Sequence, residues 1–76
     1  GITMNEEHVY KVIELVGSSP ESWEKAAASA VEEASKHLQD LRIGEVADMD
    51  VQISEGKVVA YRTKVKVSFR YHSGQS

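Results

Sequence analysis

No cysteine occurs among the 76 residues, which excludes a disulfide framework and any thiolate metal site and suits a reducing, cytoplasmic setting. No apolar run approaches the roughly 20 residues of a membrane span. No charged, apolar and then small-residue leader opens the chain, so Gly1 to Thr3 ahead of Met4 read as residues left from cloning. Cationic excess is missing too: a net charge of −3 offers no general attraction to nucleic acid or to a membrane of anionic lipid. Glycine-rich phosphate loops are absent, since Gly17, Gly44 and Gly56 stand singly and each has a strand or turn to explain it. His8, His37 and His72 lack ligand spacing, and Ser18, Ser19 and Ser22 cluster at a helix start with no base beside them. No nucleophile, base or metal set can be assembled, so the chain does not read as an enzyme.

What is present is enough for one small domain. With 41% hydrophobic and 28% charged residues, residues 4–72 read as a single globular unit followed by a disordered tail at 73–76. A domain this short, with neither disulfide nor metal, buries too little apolar surface to stand alone, so association with copies of itself is expected.

From Val9 to Val16 the residues are β-branched and aromatic with polar ones between, the composition of a strand. Val9, Ile13 and Leu15 line one face and Tyr10, Val12 and Val16 the other, so something must cover both. Gly17-Ser18-Ser19-Pro20 ends the strand. The spacing predicts an N-cap at Ser19 with Pro20 at the first helical position, Glu21 and Glu24 adding favourable charge. Trp23, Ala27, Ala30, Val31, Ala34, Leu38 and Leu41 then recur at threes and fours, a narrow alanine-rich stripe that lets a helix lie close to a sheet, with Trp23 as core packing.

Alternation follows. Ile43, Ala47, Met49, Val51 and Ile53 form one face of a second strand, and Val59, Tyr61, Val65, Val67, Phe69 and Tyr71 one face of a third. Ser54-Glu55-Gly56 reads as a three-residue hairpin loop. That loop sets Ile53 against Lys57, Met49 against Tyr61 and Ala47 against Thr63, with Asp48 across from Arg62 and Val46 across from Lys64 on the other face. The expected fold is α+β, in the order β-α-β-β, a three-stranded antiparallel sheet packed on one amphipathic helix.

The stretch HVYKVIELVGSSPESWEKAA, then GEV at Gly44 to Val46, then EGKVVAYR followed by KVSFR, resembles the dodecin family over nearly the whole domain. The resemblance implies a β-α-β-β subunit assembled as a hollow homododecamer that binds flavins (FMN, FAD or riboflavin) to store or quench them. In that family a tryptophan before the EV pair stacks on the flavin ring; here the position is Ile43, between Arg42 and Gly44. An aliphatic side chain excludes water but lacks the π-face, worth ~0.5–1.5 kcal/mol beyond area burial. The family's flavin-bonding glutamine corresponds to Arg62, which donates only and so cannot accept from the flavin N3–H. The plainer reading of Arg62 is an ion pair with Asp48. The cofactor-binding residues implied are thus Arg42, Ile43, Gly44, Asp48 and Arg62.

A branch of the family with SW after the turn proline and arginine in place of that glutamine is described as binding calcium. The carboxylates at hand are Glu45, Asp48 and Asp50, with Glu14 nearby. Calcium takes six to eight oxygens, more than these strands converge in one subunit, so such a site must be shared between subunits. Arg62, Lys64, Lys66 and Arg70 also form a basic stripe, read either as a seat for a phosphate-bearing cofactor or polyanion or as ion pairs with the acidic second strand. Two classes remain: a flavin-type binding and storage cage, and a cage of the same architecture that has lost flavin and binds calcium or another ligand between subunits.

Overall fold

The computed structural model describes residues 8–71; the expected cloning remnant at residues 1–3 and tail at residues 73–76 lie outside them. Four elements follow one another: β1 (Tyr10–Ser19), α1 (Trp23–Ser35), β2 (Leu41–Ser54) and β3 (Lys57–Arg70). β3 is central, and β1 and β2 both pair with it antiparallel. The helix lies on one face of this three-stranded sheet, as the patterning predicts. The other face carries nothing among the described residues.

Both ends of the helix differ from expectation. β1 continues past Val16 to Ser19, with the helix backbone resting directly on it at Gly17, where an added Cβ would stand 1.9 Å from the Ala26 carbonyl oxygen. The N-cap is Ser22 rather than Ser19: its backbone is extended (φ −167°, ψ 162°) and its hydroxyl accepts the Lys25 N–H at 3.0 Å. Ser19 Oγ accepts instead from the Glu21 N–H at 3.0 Å, turning the chain around Pro20 before the helix begins. The helix stops at Ser35, short of Leu38 and Leu41. Asp40, at φ 60°, makes the turn into β2 in a conformation that aspartate tolerates better than most residues. Ala26, Ala30 and Ala34 are the buried helical positions. Together with Ala27 and Val31 they set the helix on Ile13, Leu15, Val65 and Val67.

The hairpin corrects the expected register. Ser54 pairs with Lys57, and Glu55 (φ 52°) and Gly56 (φ 76°) form a two-residue turn with both residues left-handed, the geometry that matches strand twist. An unbroken ladder from this turn would set Met49 against Arg62. One extra residue, Val59, intervenes between the pairs Ile53↔Val58 and Gln52↔Ala60, so Met49 faces Thr63, Val51 faces Tyr61, Asp50 faces Arg62 and Asp48 faces Lys64. The expected Asp48–Arg62 pairing is therefore replaced by Asp50–Arg62. Two further bulges, at Ala47 and Arg42, lie on β2. Each overturns the alternation of faces. Val46 thereby joins Val65 on the helix side of the sheet, and Ile43, expected on the Met49 face, joins Ser68 on the face away from it.

Candidate functional site

Alternation along β3 puts Arg62, Lys64, Lys66, Ser68 and Arg70 on the face away from the helix, and acidic residues of the flanking strands meet them. Arg62 Nε and Nη2 donate to the two Asp50 carboxylate oxygens, both at 2.8 Å, a fork that a lysine has no geometry to make. Those hydrogen bonds hold the Asp50 carboxyl below the ordinary aspartate value and push Arg62 up. Lys64 Nζ lies 3.8 Å from Asp48, and Lys66 Nζ lies 3.9 Å from Glu14, with Glu45 opposite Lys66 on the other side. Three of the four residues of the basic stripe, Arg62, Lys64 and Lys66, are answered within the chain, which favours its ion-pair reading over a polyanion seat.

The same ladder spaces the expected metal ligands. Glu45, Asp48 and Asp50 face Lys66, Lys64 and Arg62, successive outward positions that stand about 7 Å apart at the strand rise. Two oxygens on one calcium, each bonded at about 2.3–2.6 Å, lie within roughly 5 Å of each other. Among the described residues no three carboxylate or histidine side chains converge to hold a metal.

The expected cofactor residues divide between two places. Tyr10, Arg42, Ile43 and Ser68 line an open hollow of about 380 Å³; Ile43 is 66% exposed, and the small Ser68 leaves a dip between its neighbours. Arg42 Nη2 is 3.9 Å from Asp40. Gly44 faces the helix, where a Cβ would meet Val65 and Val31 at 3.4 and 3.5 Å. It joins Arg42 and Ile43 only in a smaller hollow of about 130 Å³ with Val31, Leu41 and Val67. Asp48 and Arg62 line another, of about 350 Å³, with Val16, Met49, Asp50 and Lys64. Arg62 and Ser68, which faces Ile43, are six residues apart on β3, or about 20 Å. No single ring-sized ligand touches Ile43 and Arg62 of one chain, so a site that uses both is built from two copies. Sequence reasoning missed Tyr10 as a wall of the Ile43 hollow, although counting outward-facing positions back from Val12 reaches it.

Trp23 is also placed differently from expectation. It is at the surface, 36% exposed. Its indole N–H donates to the Asp50 carbonyl at 3.0 Å, its ring meets Tyr61 edge-on at 5.0 Å, and its carbonyl accepts from Thr63 Oγ1 at 3.0 Å. The indole walls a groove of about 530 Å³ between the start of α1 and β2, lined also by Glu24, Ala27, Val46, Met49 and Thr63.

Compared with known proteins, residues 9–72 match the family described as dodecin. The calcium dodecin of Mycobacterium tuberculosis is 42% identical over 67 residues, 88% of this chain and 94% of that protein. The crystal structure of that calcium-chelating antigen, which has a calcium-binding site, superposes with a TM-score of 0.77 over 90% of this chain and 97% of its own at 43% identity. The dodecin of Thermus thermophilus is 40% identical over 62 residues, 82% of this chain and 90% of that one. The structure of dodecin from Streptomyces coelicolor gives a TM-score of 0.83 at 36% identity, covering 88% and 96%.

Proposed function

This chain belongs to the dodecin family, whose members bind small molecules and are not enzymes, and we propose that it is a cytoplasmic homododecameric cage that sequesters a flavin or related planar cofactor between its subunits. The hollow between Tyr10 and Ile43 on the uncovered face of the sheet carries this reading. It offers an aromatic and an aliphatic wall, with the Arg42 guanidinium for a carbonyl or phosphate. Two substitutions weaken it for flavin. Ile43 has no π-face, and Arg62 spends two of its five N–H donors on Asp50 and has no acceptor for the flavin N3–H. Titration of riboflavin and FMN with the protein, read as loss of flavin fluorescence, tests the proposal. Quenching at micromolar protein is expected, with Ile43→Trp binding about two- to tenfold tighter, the range that ~0.5–1.5 kcal/mol of stacking represents. No quenching by either protein at high micromolar concentration removes the flavin reading.

A second reading rests on the likeness to the Mycobacterium tuberculosis protein: the cage binds calcium between subunits. Glu45 is its best-placed ligand, being exposed on the outward face with no ion pair shorter than 4 Å among the described residues. Asp48 and Asp50 must leave Lys64 and Arg62 to take part. Calcium titration by calorimetry separates the readings. Heat that disappears in Glu45→Gln, without flavin quenching, selects calcium; no heat at millimolar calcium removes it.

A further inference from the structure

The helix rests on β1 and β3 and leaves the inner face of β2 open, so Val46 and Met49 stay 50% and 58% exposed beside the Trp23 indole. The polar groups in that groove are spent within the chain. The indole N–H is bonded to the Asp50 carbonyl and the Thr63 hydroxyl to the Trp23 carbonyl. What remains is apolar wall with the exposed Glu24 in its lining, a surface that fits an apolar projection with a cation beside it.

The chain carries such a projection. β1 pairs with β3 only as far as Tyr61, so beyond that point β2 and β3 continue as a bare two-stranded ribbon, an arrangement of marginal stability without a surface to pack on. Its tip exposes Ile53, Val58 and Val59, with Lys57 at the turn. Lys57 and Glu24 are both exposed, and among the described residues no ion pair engages either. A chain's own tip does not reach its own groove, because Met49 on the groove wall and Ile53 at the tip lie on one continuous strand, about 13 Å apart and receding.

We infer that the β2–β3 tip of one copy fills the Trp23 groove of a second copy, with Lys57 of the first against Glu24 of the second. The contact is head-to-tail. Its two surfaces differ, so successive copies add by one repeated rotation, which gives a ring where that rotation closes and a filament where it does not. This inference rests on self-association and names the surfaces that produce it.

Light scattering on the full chain tests it with Glu24→Lys, Lys57→Glu and the two combined, each checked for fold by circular dichroism. Each single reversal sets like charges together at the contact. We expect dissociation at protein concentrations about tenfold higher than for the unmodified chain, with a red shift of Trp23 emission as the groove opens to water. The combined variant is expected to restore both. Ile53→Asp is expected to abolish assembly. An assembly that persists unchanged in Ile53→Asp and in both single reversals overturns the contact and leaves self-association standing. An unmodified chain that is monomeric overturns both. Riboflavin that quenches Trp23 emission in Ile53→Asp assigns the groove to a small ligand and overturns the contact as well.

Discussion

Gly17 and Gly44 are equivalent to a reader of the sequence, each a lone glycine in or beside a strand, yet the structure gives them opposite tolerances. At Gly17 an added Cβ lands 1.9 Å from the Ala26 carbonyl oxygen and 3.2 Å from the Ala30 methyl group. Neither neighbour moves without lifting the whole helix. At Gly44 the nearest atoms are side-chain methyl groups at 3.4 and 3.5 Å, ordinary contact. Gly17→Ala is expected to destabilise the subunit by about 3 kcal/mol or more, the upper end of overpacking costs, and Gly44→Ala by less than about 1 kcal/mol. Urea unfolding of the two variants checks this; a smaller loss at Gly17 than at Gly44 means that the helix does not rest on β1 as described. Ile43 is legible in the sequence in another way. Its aliphatic character can be read from the sequence directly, while its partner Tyr10 needs the strand order, β1-β3-β2, to bring it into the same hollow.

At the scale of the element, the three strands and the helix are each legible because their hydrophobic periods differ, two against 3.6. Their ends and pairings are less so, for identifiable reasons. Ser19 and Ser22 are both competent caps, and only the length of β1 decides between them. Three bulges, at Arg42, Ala47 and Val59, add one residue each to a strand without a mark in the sequence, and the pairing of the β2 carboxylates Glu45, Asp48 and Asp50 with β3 depends on the last two. The displaced pair is testable by pH. Arg62 holds the Asp50 carboxyl below its unfolded value, near 3.9, and so stabilises the folded chain above that pH. The contribution fades as pH falls through the lower, folded value; Arg62, raised further, keeps its charge throughout. Asp50→Asn, which keeps the backbone carbonyl that accepts from Trp23, is therefore expected to be less stable than the parent at pH 7. The two should converge as acid protonates Asp50, and the gap should narrow in high salt because the pair is exposed. Melting curves from pH 7 to pH 2 check it. A gap that persists unchanged to pH 2 assigns the effect to something other than this pair.

The whole molecule is elongated where a compact domain is round. Its radius of gyration is 16.1 Å and its longest dimension 60 Å, against about 11 Å for a compact chain of this length. Two strands of 14 residues, each about 46 Å long at the strand rise, account for most of the length. The buried apolar core is three alanines and two valines, Ala26, Ala30, Ala34, Val65 and Val67, while Val12, Val16 and Ile43 stay exposed on the uncovered face and Ile53 and Val58 at the tip. Burying one branched side chain contributes about 1.5–3 kcal/mol, so those exposed residues hold more stabilisation than the small core supplies. Folding and association should then be one transition, with stability set by protein concentration. A tenfold dilution is expected to lower the melting temperature by about 5 °C or more, the shift that ~1.4 kcal/mol produces in a domain of this size. Scattering mass should fall in step with the loss of secondary structure. A melting temperature independent of concentration, with a monomer's mass in the folded state, would show that the single chain stands unaided, and the need for partner copies would fall with it.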